Sequence, residues 1–482
     1  MKTQFLSLPV ILYCCCIVSA AVPPPPPLPP LPLSRQIQWH ETERYAFVHF
    51  GMNTFTGREW GDGKEDPKLF NPTELDARQW AKVFKDAGFK MVILTCKHHD
   101  GFCLWPSKMT SHSVASSPWK NGQGDVVKEL AAACKEYGLK FGVYLSPWDR
   151  HEPSYGDSPR YNEFYKSQLR ELLTNYGEIS MVWFDGACGE GPNGRRQVYD
   201  WEGYRSIVRA LQPNAVMFSD AGPDVRWVGN ESGLAGETNW SLYNISKVTV
   251  GGGVLPQMGS GDINGPDWVP SECDVSIRPG WFYHQSEDAK VKSLSKLIEI
   301  YFKSVGRNSC LNLNVPPDKR GKISDADIQR LTEFKNALDA IFATNLAAKA
   351  EPSASNTRGN AKEYAPANVC DNDRSTYWAC DDNVTNGWIT LSFSQPEQFN
   401  VVMLQERIEL GQRISGFAIE AYIDNDWKTV KTGATIGYKR LLCFPTVKAQ
   451  KIRLKITGSR ATPVLSTFAV YNSPEQLLPI GK

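Results

Sequence analysis

The sequence predicts a (β/α)8-type barrel, TIM-like but irregular, followed by an all-β sandwich. Three observations carry that prediction. From Arg35 to Leu346 short apolar runs alternate with amphipathic helical stretches, the pattern of parallel strands joined by helical crossovers. No glycine-rich phosphate loop follows the first strand, which argues against the doubly wound alternative. Past residue 346 the helical period stops, and short strands separated by turns take over. The chain divides into residues 1–21, a leader; 22–34, a proline-rich linker; 35–346, the barrel; and 347–482, a sandwich resembling discoidin or galactose-binding modules.

The leader follows from Lys2 and the apolar run FLSLPVILYCCCIVSAA, which together read as a secretory signal peptide. The run is short for a membrane anchor, and no later segment is apolar for long enough to cross a bilayer. The expectation is a secreted, extracellular protein with no membrane partner. Lys plus Arg is 53 and Asp plus Glu is 52, a balance that gives no reason to expect nucleic acid as a partner. The tract PPPPPLPPLPL, Pro23 to Leu33, is expected to be an extended spacer. Twelve cysteines less Cys14, Cys15 and Cys16 of the leader leave an odd number, so at least one thiol stays free; Cys370 and Cys380 are close enough to pair. No cysteine or histidine spacing suits zinc. Sequons at Asn230, Asn239, Asn244 and Asn383 suit a secreted glycoprotein, and a structural calcium in the sandwich is compatible with this reading.

Along the barrel region the strands read as YAFVHFG, FKMVILTCKHHDG, LKFGVYLSPWD, ISMVWFDG and NAVMFSD. Between them lie helices such as ARQWAKVFKDAG and GDVVKELAAACKEYG, ended by Gly88 and Gly138. After Asp220 the rhythm breaks into loops rich in Gly and Trp, then returns with a helix, the strand SCLNLNVPP and a last helix. In a barrel the active face is at the C-terminal ends of the strands. There the five strands deliver, in turn, His49; Lys97, His98, His99 and Asp100; Tyr144, Ser146, Trp148 and Asp149; Trp183 and Asp185; and Ser219 and Asp220. Five strands presenting polar groups at one end point to a site, since packing does not require it. Asp185 is separated from the next helix by a glycine-rich loop, so helix capping is the weaker account of it. Residues two apart share a face, which puts Trp183 beside Asp185. Strand alternation would also send His98 and His99 to opposite sides. A carboxylate, imidazoles and aromatic walls suit glycoside hydrolysis, in which two carboxyls flank the scissile bond.

Taken together, FVHFGMNTFTGREWG, CKHHDGFCLW, YLSPWD, VWFDG, RWVGNESG and RPGWFYH resemble glycoside hydrolase family 29, the α-L-fucosidases, over Arg35 to about Leu313. They are most similar to the branch acting on α-1,3 and α-1,4 linkages, in a plant-like secreted form. The resemblance implies an exo-acting, retaining, double-displacement hydrolase of fucosylated oligosaccharides or glycoprotein glycans, with no cofactor. It assigns Asp185 as nucleophile and Glu231 as acid/base, with Glu237 as the competitor for the second role. It also implies that His49, Glu59, Trp60, His98, His99 and Tyr144 contact the sugar, with Trp183 and Trp281 as the apolar platform for a 6-deoxy methyl group. A glycan on Asn230 would obstruct Glu231, so that sequon is expected to stay bare. A silent fucose-binding protein and another exo-glycosidase of similar barrel are the competing readings.

Overall fold

The computed structural model describes residues 21–480. The expected leader, apart from Ala21, lies outside the described residues. Eight parallel strands close into a barrel: β1 (Arg44–Val48), β2 (Met91–Lys97), β3 (Lys140–Leu145), β4 (Met181–Trp183), β5 (Val216–Ser219), β6 (Val225–Trp227), β7 (Ser271–Ser276) and β8 (Cys310–Asn314). Each strand pairs with its sequence neighbours, and β8 pairs with β1 to complete the ring. Alternation decides what each strand presents. Tyr45, Phe47, Met91, Ile93, Met181, Trp183, Val216 and Phe218 fill the barrel interior. Ala46, Val48, Val92, Leu94 and Val182 pack outward under the helices. The helices start where short polar caps allow: Asp76 accepts from Gln79 N, Asp125 from Lys128 N, Asp200 from Gly203 N and Ser293 from Lys296 N. Gly88 and Gly138 follow two of these helices at φ 78° and 64°, a left-handed turn that suits glycine.

β6 and β7 fall in the stretch that reads as loops. β6 is three residues long. β7 turns Glu272 and Asp274 into the barrel, so its inward face is polar and its pattern inverted. The segment between them forms a two-stranded ribbon, Leu242–Tyr243 with Asp267–Trp268.

Residues 351–471 form the all-β domain, seven antiparallel strands built around two of twenty residues, Gly387–Glu406 and Arg440–Ser459. These two pair along their length with register shifts near Ser392 and Phe399. Their first and second halves meet around one core that includes Ile389, Leu391, Val402, Leu404, Ile452 and Leu454. The domain is fastened to the barrel rather than hung from it. Val401, Leu441, Ala469 and Tyr471 join the barrel's own apolar core. Asn308, buried at φ 61°, donates from Nδ2 to Asn239 O and Ser241 Oγ and accepts from Tyr438 N at 2.7 Å.

Three expectations change here. The proline tract is not a free spacer: it lies along the β-domain, where Arg413 donates to Pro26 O at 2.6 Å. Cys370 and Cys380 are not paired; Cys380 is buried in the β-domain core while Cys370 lies at its edge, and every described cysteine is a free thiol. Asn239 is 1% exposed, with its amide engaged by Arg226, Ser271 and Arg307 O, so it has no room for a glycan.

Two stability outcomes follow. Asn308→Ala strands several buried polar groups at the domain junction and is expected to cost about 2–4 kcal/mol in denaturant unfolding; an unchanged midpoint would contradict the junction's role. His40 is 0% exposed, stacked on Tyr438 at 4.9 Å, and neither ring nitrogen has a partner. Burial, aided by Arg374, drags its pKa down from 6.5 to about 3. The folded value lies below the unfolded one, so this contribution is intact above 6.5 and is lost as pH falls toward 3. His40→Phe should lose less stability than the parent between those limits, measured by unfolding across pH.

Candidate active site

A cavity of about 560 Å³ opens at the C-terminal ends of the barrel strands. Its walls bring together His49, Glu59, Trp60, His98, His99, Tyr144, Trp183, Asp185, Glu231 and Trp281, and add Phe47, Phe218, Asp220, Trp227 and Asp274. Glu237 is elsewhere. It pairs with Arg307 and Arg440 at the junction with the β-domain.

Asp185 sits two residues beyond the end of β4. Its Oδ2 accepts from Tyr144 Oη at 2.8 Å and its Oδ1 from the Ala187 amide at 2.8 Å. The carboxylate is therefore held at both oxygens, yet its side chain stays 24% exposed to the cavity. Tyr144 comes from β3, the strand paired with β4. Trp183 stacks on Phe218 at 4.2 Å and 12°, and its Nε1 donates to Glu272 at 2.8 Å. The aromatic wall beside the carboxylate is thus pinned from behind.

Three imidazoles face the same space, and burial holds each below its ordinary value. His49 falls to about 3; its Nδ1–H donates to Asn314 Oδ1 at 2.9 Å. The Asn314 amide is oriented by its own donation to Ser276 Oγ and Trp281 O. His99 Nδ1 meets Ser146 Oγ at 2.7 Å, and that hydroxyl donates onward to Trp148 O. In both rings Nε2 is therefore left as an acceptor, suited to a sugar hydroxyl; in His99 it lies 3.8 Å from Asp185 Oδ2. The opposing charge of Asp185 only partly offsets burial at His99. His98 is also held neutral by burial, and its Nδ1 lies 3.5 Å from Asn53 Nδ2. Alternation would have separated His98 from His99. Instead both line the cavity with ring centroids 4.1 Å apart, because β2 ends at Lys97 and the pair lies in the loop beyond. Lys97 itself is buried under that loop, bonded to Asp149 at 2.8 Å and Gln168 at 2.9 Å.

Glu59 has a second task besides lining the cavity. Its carboxylate accepts from the Trp281 amide at 2.7 Å and lies 2.8 Å from His284 Nε2, which fixes the loop that carries Trp281. Gly280 is needed there: a Cβ would come within 2.5 Å of Glu59 Oε1. Trp60, at 59% exposure, stands at the rim and meets Trp148 edge to face at 5.7 Å.

Glu231 is at the exposed mouth, in the loop after β6. Partial burial raises its pKa, a hydrogen bond with the Trp281 side chain opposes the rise, and the Asp185 charge adds to it. The Trp that shapes this carboxyl is thus Trp281. Trp227 serves another acid, donating from Nε1 to Asp274 Oδ1 at 2.7 Å. The Asn230 amide is tied to Leu234 O at 2.9 Å and accepts from Ser232.

Sequence reasoning passed over two wall carboxyls. Asp274 is buried, and burial with the nearby charges of Glu272 and Glu231 raises its pKa well above the ordinary range. Its signal was the alternating acids of SECDVS. Asp220, raised to about 6 by burial, accepts from Gly251 N at 2.8 Å; it ends an expected strand but was given no role. Among the described residues no group of three or more His, Cys, Asp or Glu is placed to hold a metal ion.

Comparison with known proteins agrees with this geometry. The family profile described as Alpha-L-fucosidase matches residues 33–340, and that of the F5/8 type C domain matches residues 351–467. Alpha-L-fucosidase 1 of Arabidopsis thaliana is 49% identical over 446 residues, 92% of this chain and 87% of that protein. Among solved structures, SpGH29 superposes with a TM-score of 0.89 at 41% identity, over 94% of this chain and 100% of that one. A Ruminococcus gnavus GH29 fucosidase in complex with fucose gives a TM-score of 0.89 at 36% identity, over 95% and 98% of the two chains. The profile runs the length of the barrel and the relatives span nearly all of both domains; the chain belongs to the α-L-fucosidase family of glycoside hydrolases.

Proposed function

We propose that this α-L-fucosidase is a secreted, exo-acting, retaining enzyme that removes α-1,3- or α-1,4-linked fucose from oligosaccharides and glycoprotein glycans. The observation that carries the mechanism is a clamped carboxylate, Asp185, sharing one cavity with Glu231. Asp185 attacks the anomeric carbon while Glu231 protonates the departing glycosidic oxygen. Glu231 then takes a proton from the water that hydrolyses the fucosyl ester, and fucose leaves with its configuration retained. The elevated pKa of Glu231 favours the protonated form that the first step needs. Glu237 is bound by two arginines outside the cavity, which supports Glu231 for the acid/base role. Both steps run on carboxyl groups alone, so no cofactor is required.

The neutral imidazoles of His49 and His99 offer acceptors to the fucose hydroxyls, and Trp183 and Trp281 offer an apolar surface to its methyl group. The linkage and the secreted state rest on the six motifs, the leader sequence and the sequons at Asn244 and Asn383. Trp60, which lines the cavity at its rim beside Trp148, is proposed to contact the sugar as well.

Azide separates the two roles. Asp185→Ala should lose activity on a Lewis-type trisaccharide by about a thousandfold or more, and with azide should yield β-fucosyl azide by direct displacement. Glu231→Ala should lose about a hundredfold or more and yield α-fucosyl azide, formed from the covalent intermediate. In the parent, kcat/KM should fall as pH rises through a value above that of an ordinary glutamate, and this limb should vanish in Glu231→Ala. An active Glu231→Ala with an unchanged pH profile would move the acid role to another residue. A parent protein that released no fucose from any linkage would favour a binding protein.

Asp274 generates a further outcome. Burial pushes its carboxyl toward the protonated form, and with one oxygen on Trp227 the other is proposed to donate to the substrate. Asp274→Asn preserves both functions and should stay within about threefold of the parent in kcat/KM, whereas Asp274→Ala should lose about tenfold to a hundredfold. Equal losses in the two variants would show that a charged carboxylate is needed there.

A further inference from the structure

The proline tract makes a set of contacts with a period of its own. Tyr364 Oη donates to Val22 O at 3.0 Å. Arg358 Nε donates to Pro23 O at 2.7 Å, and Arg413 Nη2 donates to Pro26 O at 2.6 Å. The Leu28 amide then donates to Leu410 O at 3.0 Å. The Val22 side chain packs with Tyr364, Ala379 and Val464. A run of prolines is confined to the polyproline II helix, which has three residues per turn and no internal hydrogen bonds, so its carbonyls point outward unpaired. Pro23 and Pro26 are one turn apart and present their carbonyls on the same side, about 9 Å from each other. Two arginines meet them.

Those arginines are held ready. Arg358 is 5% exposed and braced by Asp382 at 2.7 Å; Arg413 is 1% exposed and braced by Thr462 O at 2.8 Å. Gly411, at φ 93°, leaves room for the tract, since a Cβ there would lie 2.2 Å from Leu28 O. Surface arginines that happened to touch a passing linker would not be braced by partners of the β-domain and matched to carbonyls one helical turn apart.

We propose that Arg358, Tyr364, Leu410 and Arg413 form a polyproline II binding site on the β-domain, which the chain fills with its own residues 22–28. Recognition is of the carbonyl spacing of the helix, and prolines supply it with little ordering entropy left to lose. In cis the tract fastens the start of the barrel to the second domain.

The test uses the chain lacking residues 22–30, the full chain, and a fluorescent synthetic peptide of residues 21–33. The truncated chain should bind the peptide saturably at one site. The full chain should bind at least about tenfold more weakly because its site is occupied, and Arg413→Ala in the truncated chain should weaken binding about tenfold or more. A peptide with Gly and Ser in place of Pro23 to Pro27 should not compete. Equal binding by the Gly–Ser peptide, or none by a folded truncated chain, would overturn the proposal. If the truncated chain does not fold, hydrogen exchange at the Leu28 amide decides. It should be protected in the full chain and exchange at least about tenfold faster in full-length Arg413→Ala; an unprotected amide, or one unaffected by the substitution, would overturn it.

Discussion

The chemistry proposed for this molecule depends on how Asp185 is held. One carboxylate oxygen takes the hydroxyl of Tyr144 and the other the amide of Ala187, so the group cannot rotate away from the cavity. Both donors are fixed by elements the barrel has already built: Tyr144 by the pairing of β3 with β4, and Ala187 by the turn that begins where β4 ends. A nucleophile on a freely rotating side chain would have to be ordered in every turnover; for Asp185, the proposed nucleophile, that ordering is part of folding. The wall around it follows the same logic, with Trp183 held by Glu272, His49 by Asn314, and Trp281 by Glu59. Glu231 is the exception, on a loop at the exposed mouth. That suits the acid/base role proposed for it, which would meet first a leaving sugar and then water.

Burial and hydrogen bonding together give the cavity its chemical character. Burial pushes the imidazoles of His49 and His99 toward their neutral form and the Asp274 carboxyl on β7 toward its protonated form. The wall becomes a set of uncharged acceptors and donors, matched to the hydroxyls of a neutral sugar. Within that wall Asp185, the proposed nucleophile, is held by two hydrogen bonds.

Most of this was legible in the sequence, and the illegible parts have physical reasons. β1 to β5 read as strands because they are apolar on both faces, inward toward Tyr45, Phe47 and Phe218 and outward toward the helices. β7 was hidden because Glu272 and Asp274 occupy its inward positions, and β6 because a buried arginine, Arg226, stands at the middle of its three residues. The candidate site residues named at the ends of legible strands line one cavity, and Asp274 on an illegible one lines it unannounced. His98 and His99 defeated a strand rule because they lie past the strand's end. The resemblance already ranks Glu231 above Glu237, and the two arginines that claim Glu237 outside the cavity support that order. The Asn239 sequon and the proline tract teach the same lesson: composition describes a segment, but its partners, 335 residues away for Pro23 and Arg358, decide what it does.

The central claim is that Asp185 is the atom-bearing partner of a covalent fucosyl intermediate. It is tested most directly by inactivating the protein with a 2-deoxy-2-fluoro-fucosyl fluoride, which slows breakdown of such an intermediate, and sequencing the peptides by mass spectrometry. The account predicts one added fluorofucosyl group, on the peptide that contains Asp185. A label on another residue, or time-dependent inactivation with no label, would contradict it.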